Sequence, residues 1–221
     1  MISLGRRLET ALSLADVHDL SIDVGTDHGY LAIELIRRGL AKRVIATDNK
    51  PLPLSRALEN IAKASLNDAI ACHLGDGLTW FEAAAGNVFI LGMGGQMIAS
   101  ILASKGPGTI HSLILGPNSE AKELRQSLER LHFAIVDEAF ITERGKYYPL
   151  LKCVEGEMHL SPAEMAYGPI ILQKRPLEFL HFLGRKKAVL SEGLLRTNDE
   201  TKRQTLRQEI AFLEDIIDER H

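Results

Sequence analysis

Acidic, imidazole and amide side chains follow short apolar runs at several points in this chain. Asp27 and His28 stand in a glycine-bearing turn after the run at 20–24, and Asn118 follows a later run. Gly25 lets the backbone of that turn pass close to a ligand, and the helix expected after it offers N–H groups to an anion such as a carboxylate. A G-x-G-x-x-G dinucleotide turn needs glycine where Asp27 stands, so the turn fits an amino-acid-bearing cofactor better than a pyrophosphate.

The elements that must position these residues are predicted strands with helical patterns between them. Four apolar runs end in glycine or aspartate, at 20–24, 44–48, 69–74 and 87–91. This pattern describes the carboxyl edge of a parallel sheet, where Rossmann-type folds bind ligands. Asp48 ends the second run, and its two oxygens suit a ribose diol because they can accept from both hydroxyls.

Three further strands are predicted at 112–115, 134–140 and 147–154. The turn at 142–146 is compatible with a hairpin, which makes the final strand antiparallel. A leading helix over residues 4–15 is expected to pack on the sheet with Arg6 and Arg7 outward. The predicted fold is α/β: a Rossmann-like domain with a seven-stranded, mostly parallel sheet.

Composition excludes several classes of protein. The chain has 221 residues, 45% of them hydrophobic, and a formal net charge of −3. Its apolar runs are too short to span a bilayer and its first residues do not form a secretory signal, so we expect a cytoplasmic protein with no membrane contact. Cys72 and Cys153 form neither a CxxC pattern nor a disulfide framework, so we interpret both as reduced core residues and expect no metal.

Near Gly156 the sequence changes to a helical pattern, which predicts one domain at 1–156 and a second at 157–221. Two leucine-rich stripes predict a coiled-coil-like helical hairpin, and a capping-box pattern at 197–200 would begin its second helix. Residues 174–207 contain nine basic and four acidic residues, a net charge of +5. This basic hairpin can hold phosphates. Two alternatives to phosphate binding remain: the basic residues form an ordinary solvated helix face, or the hairpin serves only for packing or dimerisation.

Several segments together resemble the bacterial TrmK family of tRNA adenine-N1 methyltransferases. They are residues 23–31, 75–78, 92–95, 117–118, 143–148 and 167–169. The resemblance covers nearly the whole chain, and the pairing of D-x-G-[ST]-D-H-x-Y-L with G-M-G-G is specific in combination. It implies a class I S-adenosylmethionine-dependent fold with a C-terminal helical domain, and methylation of N1 of adenine 22 in the D-arm of tRNA.

The same resemblance implies cofactor-binding roles. Gly25 and Gly29 would shape the loop beside the methionine part, and Asp48 would hold the ribose hydroxyls. Asp76 would accept from the adenine amine, and Gly92 and Met93 would border the sulfonium and the target base. Asp23 and Gly77 complete the implied cofactor set. The chain has Asp48 where the family commonly has Glu, and Gly116 where it tends to have Gln.

Methyl transfer mainly requires alignment, and the methylated adenine is cationic, so acceptors near the base would stabilise it. Our candidates are Asp27, His28 and Asn118, although His28 could only orient the loop and Asp27 could only cap the following helix. N1 is used in Watson–Crick pairing, so the base must be unpaired or flipped. The expected partner is tRNA, held by the basic hairpin with Arg6 and Arg7 as further contacts, and the protein is expected to be a monomer or weak homodimer. A methyltransferase acting on a small molecule or protein, and a noncatalytic Rossmann module, remain alternatives.

Overall fold

The computed structural model describes residues 4–106 and 108–218, which form an α/β structure around one sheet. Its strands are β1 (His18–Val24), β2 (Ala41–Asp48), β3 (Ile70–Leu74), β4 (Ala84–Leu91), β5 (Thr109–Gly116), β6 (Phe133–Glu143) and β7 (Lys146–Glu155). Its helices are α1 (Arg6–Ser13), α2 (Tyr30–Arg37), α3 (Pro51–Lys63), α4 (Gly95–Ala103), α5 (Ala121–Arg130), α6 (Pro162–Tyr167), α7 (Pro169–Lys174), α8 (Leu177–Arg196) and α9 (Glu200–Ile217).

The seven strands lie in the order β3-β2-β1-β4-β5-β7-β6. Strands β1 to β5 pair in parallel, whereas β7 is antiparallel to both β5 and β6. The turn between β6 and β7 consists of Arg144 and Gly145, both with positive φ (49° and 74°), as a type I′ hairpin requires. The predicted seven-stranded, mostly parallel sheet with an antiparallel final strand is therefore confirmed.

Helices cover both faces of the sheet. Leu12 of α1, Leu35 of α2 and Ile61 of α3 belong to one buried cluster, and Ile98 of α4 and Leu128 of α5 belong to the other. A parallel sheet buried on both faces needs apolar side chains in both directions, which explains why the strands are continuous apolar runs. Packing on both faces thus fixes the central strands, and with them the turns at their carboxyl ends.

The C-terminal helices pack through a third cluster that includes Phe140 of β6. In α8 the buried side chains are Phe179 and Leu183. Of the leucine stripe predicted at 180, 183, 190 and 194, only Leu183 is thus fully buried, and the other three are partly buried. The predicted capping box is wrong: the N-cap of α9 is Asp199, whose carboxylate accepts from the Lys202 amide at 3.1 Å. In the described residues, no helix is long and apolar enough to cross a membrane.

Arg125 and Glu138 form a buried ion pair that joins β6 to the C-terminal helices. Arg125 is only 1% exposed, which is rare for an arginine unless it is paired. Its Nη2 donates to Glu138 Oε1 at 3.0 Å and to the Tyr167 carbonyl at 3.3 Å. Burial raises the pKa of Glu138, and the Arg125 charge opposes this. Burial removes water from both charged groups. Their attraction and hydrogen bonds to each other compensate for this loss, as a buried charge requires.

The two cysteines have different environments. Cys153 is buried, as the sequence predicted, whereas Cys72 is only partly buried. Both are free thiols. Burial is the main cause that raises the pKa of each thiol.

Candidate functional site

Two adjoining cavities open at the carboxyl edge of β1, β2 and β4, and both are bordered by Val24, Gly25, Asp27, Leu91 and Gly92. The first is also lined by Asp23 and His28, and the second by Asp48, Asp76, Gly77 and Met93. The structure therefore brings together most of the residues that the sequence singled out. Asn118 and Gly29 do not line either cavity.

Glycines shape the turn after β1. Gly25 has a φ of 76°, and a Cβ there would overlap the terminal methyl of Met93. The Gly25 and Thr26 amides both donate to the Thr47 carbonyl, at 2.8 and 3.1 Å, which fastens the turn to the end of β2. Gly29 allows close approach of α3, since a Cβ there would lie 3.2 Å from the Ala57 Cβ.

Asp23 is a buried carboxyl group at the end of β1, with 5% of its surface exposed. The Thr26 hydroxyl donates to its Oδ2 at 2.6 Å. Burial raises the pKa of Asp23 to about 6, the Thr26 hydrogen bond opposes this, and the negative charge of Asp48 adds to it. A cationic group placed in the first cavity would favour the ionised carboxylate, so the position suits a ligand's ammonium group.

Asp27 and His28 lie next to each other on the wall of the first cavity. Asp27 is exposed and adopts a left-handed conformation (φ 44°), and its Oδ2 lies 3.3 Å from His28 Nε2. The His28 ring stacks on Tyr30, with ring centroids 5.4 Å apart. Gly29 is the N-cap of α2, so Asp27 is not the capping residue. The His28 imidazole therefore orients the Asp27 carboxylate at the wall of the first cavity.

Polar groups line one side of the second cavity. Asp48 Oδ1 accepts from the Lys50 amide at 2.9 Å, and the Asp48 carbonyl accepts from the Gly75 amide at 3.1 Å. The second contact holds the loop carrying the exposed Asp76 against the end of β2. Thr47 Oγ1 is buried and has no hydrogen-bond partner within the described ranges. No motif in the sequence singled out Thr47, although it stands immediately before Asp48.

Apolar side chains also line the second cavity. Met93, Met97 and Ile101 line it together with Pro53. Met97 and Ile101 stand four residues apart in α4, a helical spacing that could have identified both from the sequence. Apolar side chains together with two carboxylates fit a flat, partly apolar ring attached to a polar sugar.

Asn118 is joined to the first cavity through Arg7. Its Nδ2 donates to the Gly92 carbonyl and its Oδ1 accepts from Arg7 Nη1, both at 2.6 Å. The Arg7 guanidinium lies 5.0 Å from the Tyr148 ring centroid. The prediction that Arg7 points outward is wrong, because its side chain turns into the site and lines the first cavity. Arg6 is exposed, and its Nη2 pairs with Glu178 Oε1 of α8 at 3.0 Å.

Gly116 stands beside Asn118 at the end of β5, within the core. A Cβ at this position would lie 2.9 Å from side-chain carbons of Leu91 and Leu150. These leucines take up the space next to the glycine. The amide that would stand at 116 in a Gln-Pro-Asn sequence therefore has no open volume in this chain.

A cleft between the sheet and the C-terminal helices adjoins Asn118. Its walls include the rings of Tyr147, Tyr167 and Phe182. Lys186 of α8 lies at its edge, where its Nζ donates to the Tyr167 hydroxyl at 3.0 Å. Tyr167 is buried, so the half-buried rings of Tyr147 and Phe182, together with Lys186, are the groups that this cleft offers for stacking and phosphate contact.

Comparison with known proteins matches residues 21–216 to the family model described as TrmK, tRNA (adenine(22)-N(1))-methyltransferase. The tRNA (adenine(22)-N(1))-methyltransferase of Bacillus subtilis (strain 168) is 28% identical over 233 residues, covering 98% of both chains. The crystal structure of Streptococcus pneumoniae Sp1610 in complex with S-adenosyl-L-methionine has a TM-score of 0.86 and 32% identity, covering 98% of this chain and 100% of that one. The M. capricolum TrmK structure in complex with S-adenosyl-homocysteine also has a TM-score of 0.86, with 28% identity, covering 97% of this chain and 98% of that one.

The family model covers far more than half of the chain, and these relatives are matched along almost their whole length. The cavities at the carboxyl edge, with carboxylates at the ends of β1 and β2, lie where this class of fold binds its ligand. The chain therefore belongs to the TrmK family, the tRNA (adenine(22)-N(1))-methyltransferases.

Proposed function

We propose that this protein methylates N1 of adenine 22 in tRNA, with S-adenosylmethionine along the two adjoining cavities and the adenine at the mouth of the first. The observation that carries this assignment is the order of groups along the sheet edge. Asp48 and Asp76 line only the second cavity, and Arg7 and His28 line only the first. The methyltransferase activity itself follows from membership of the TrmK family.

The residues of the second cavity fit the nucleoside part of this cofactor. Asp48 has an oxygen beyond the one that binds the Lys50 amide, and this oxygen is suited to ribose hydroxyls. The adenine ring fits between Pro53 and the methionines 93 and 97, with Asp76 placed to accept from its amine. When bound, S-adenosylmethionine supplies a methyl group on a positively charged sulfur.

Asp23 and the turn after it fit the amino-acid part. The Asp23 carboxylate would pair with the ammonium group, and Gly25 lets the backbone lie close to the ligand. Since Met93 reaches over Gly25, it borders both the cofactor and the incoming base. These residues bind and orient, and they hold no proton that the transfer requires.

Asp27, His28 and Asn118 act on the adenine. N1 already carries a lone pair, so these residues mainly align it and stabilise the positive charge that its ring acquires. The exposed Asp27 carboxylate supplies negative charge, and His28 orients it across 3.3 Å. Arg7 holds Asn118 Oδ1, so Asn118 reaches the base only if one of its present hydrogen bonds opens.

The segment 157–221 is the proposed tRNA-binding domain, with the cleft at Lys186 as its contact nearest the active site. Several other bases of the hairpin are already engaged: Lys187 pairs with Glu214, Arg196 with Glu192, and Arg207 with Glu200. Arg203 donates to the Leu194 and Thr197 carbonyls across the hairpin turn. We therefore assign phosphate contacts first to the exposed Arg185 and Lys202. Lys186 is added to them because the group it contacts, Tyr167, is uncharged and leaves the lysine charge unneutralised. A monomer or weak homodimer in the cytoplasm is the expected form.

The decisive assay is transfer of labelled methyl from S-adenosylmethionine to unmodified tRNA, followed by nucleoside analysis. We expect N1-methyladenosine that disappears when adenine 22 of the tRNA is substituted. Asp48→Ala should weaken cofactor binding at least about tenfold because two ribose hydrogen bonds are lost. Asp68→Ala is the matched control, since Asp68 is exposed and lies outside both cavities. Equal cofactor affinity in the Asp48 variant would refute the proposed orientation of the cofactor.

tRNA binding is tested separately, by measuring affinity for unmodified tRNA at several salt concentrations. A Lys186→Ala and Lys202→Ala double variant should bind less tightly and with a shallower salt dependence, because fewer counterions are released. Lys42→Ala is the control, since Lys42 pairs with Asp19 at the opposite edge of the sheet. If the double variant and the control bind tRNA equally well, the hairpin is not the contact surface.

A further inference from the structure

Two histidines and one aspartate come together at the edge of the sheet opposite the cofactor cavities. His18 begins β1, His111 lies in β5, and Asp16 precedes β1. One ligand atom from each residue lies within 4.8 Å of the other two. Imidazole nitrogens and a carboxylate oxygen are a donor set that binds divalent transition-metal ions.

A glycine in β4 allows side chains from β1 and β5 to meet at this site. β4 lies between β1 and β5, so His18 and His111 are not on neighbouring strands. A Cβ at Gly86 of β4 would overlap the His18 ring, which therefore lies directly on the glycine backbone. As a result the His18 and His111 ring centroids are 4.6 Å apart. Any other residue at 86 would separate them.

Asp16 is positioned by a buried polar network. The Asn87 Nδ2 donates to the Asp16 carbonyl at 2.8 Å, and the Asp16 amide donates to the Asn87 Oδ1 at 3.3 Å. Ser112 of β5 also donates to the Asn87 Oδ1, at 2.9 Å. Asn87 is fully buried, so it fixes the backbone of Asp16 to β4 and, through Ser112, to β5.

One ring nitrogen in this cluster lacks a hydrogen-bond partner. His18 Nε2 is buried and makes no hydrogen bond to any residue that the structure describes. A buried polar atom without a partner costs free energy, and a bound cation would satisfy it. Asp16 and His111 are exposed, so both side chains can rotate toward an ion held by His18.

We infer that Asp16, His18 and His111 form a binding site for a divalent transition-metal ion of the Zn²⁺ class, with water completing the coordination. Ligands about 2.0–2.2 Å from zinc lie roughly 3.4 Å apart in a tetrahedron. Ligand atoms as far apart as the 4.8 Å limit would therefore have to approach each other by about 1.4 Å. Lys152 Nζ lies 2.7 Å from Asp16 Oδ2 and competes for this carboxylate. The site is far from the methyl-transfer cavities, so the ion stabilises the junction of β1, β4 and β5 without entering the reaction.

The test is titration of the metal-free full-length protein with Co²⁺, followed by visible absorption, and with Zn²⁺, followed by calorimetry and thermal unfolding. We expect one ion per chain, ligand-field absorption for Co²⁺ and a higher Tm with Zn²⁺. His111→Ala and Asp16→Asn should each weaken binding by more than about 100-fold, the upper range seen for loss of an outer-shell partner. Both residues are exposed, so neither change should unfold the protein.

Two histidines elsewhere provide matched controls. His132 and His159 are exposed and each contacts a single glutamate, Glu157 and Glu129 respectively. His132→Ala and His159→Ala should bind the ion as the wild type does, and Lys152→Met should bind it more tightly. The inference is overturned if the wild type takes up no Co²⁺ or Zn²⁺ at submillimolar concentrations, or if His111→Ala binds equally well.

Discussion

Asp23→Asn should stabilise the cofactor-free protein near neutral pH. Burial raises the pKa of Asp23 from its usual 3.8 to about 6, so the folded protein holds a proton that the unfolded chain has released. Below the unfolded value both states are protonated and the group has no effect. As the pH rises toward the folded value, stability falls, and above it the full cost remains.

The size of the effect follows from the difference between the two pKa values. A difference of about two pH units corresponds to about 3 kcal/mol at pH 8, of which roughly half is present at pH 5. Asparagine is uncharged and its oxygen can still accept from Thr26, so it should remove this cost while keeping the hydrogen bond. For a chain of this length, about 3 kcal/mol corresponds to a rise in Tm of about 6–12 °C.

Thermal and urea unfolding of the wild type, Asp23→Asn and the exposed control Asp68→Asn between pH 5 and 8 tests this reasoning. The variant's advantage over the wild type should grow with pH, and the control should show no such growth. Saturating S-adenosylmethionine should stabilise the wild type more than the variant, because its ammonium group compensates an ionised Asp23. An advantage that is constant over this pH range would refute the assignment of a raised pKa to Asp23.

Three further predictions concern the frame around the site. Arg125→Ala should lower the free energy of unfolding by about 3–5 kcal/mol, because Glu138 is left as an unpaired buried charge, whereas the exposed Arg130→Ala should have little effect in urea unfolding. Gly25→Ala should cost about 1–2 kcal/mol of stability from its left-handed conformation and also weaken cofactor binding by displacing Met93, and unchanged calorimetric affinity would contradict this. Iodoacetamide should alkylate Cys72 and spare Cys153 at pH 8, because Cys153 is buried and its thiol pKa is strongly raised; mass spectrometry of the native protein would detect any second adduct.

The sequence by itself determined that the chain forms a mostly parallel sheet and that the ligand-binding residues lie at the carboxyl ends of its strands. Apolar runs that end in Gly25, Asp48 and Gly92 identify parallel strands and their carboxyl ends, because the period of a strand and the conformations open to glycine are local properties. The hairpin before β7 was likewise readable from Gly145, whose positive φ the turn requires. For the same reason the aspartates at 23, 48 and 76 could be assigned to one edge of the sheet before any contact was known.

Only the tertiary structure decided which way individual side chains point. Arg7 and Arg125 stand in amphipathic helices where a charge is ordinarily exposed, yet Arg7 meets Asn118 and Arg125 meets Glu138 across the fold. The partner of each arginine is more than ten residues away in sequence, and no local pattern encodes such a pair. The same holds for His18 and His111, which meet because β4 places the backbone of Gly86 between them. The order of strands in the sheet, which is a property of the whole chain, therefore decides which distant side chains become neighbours.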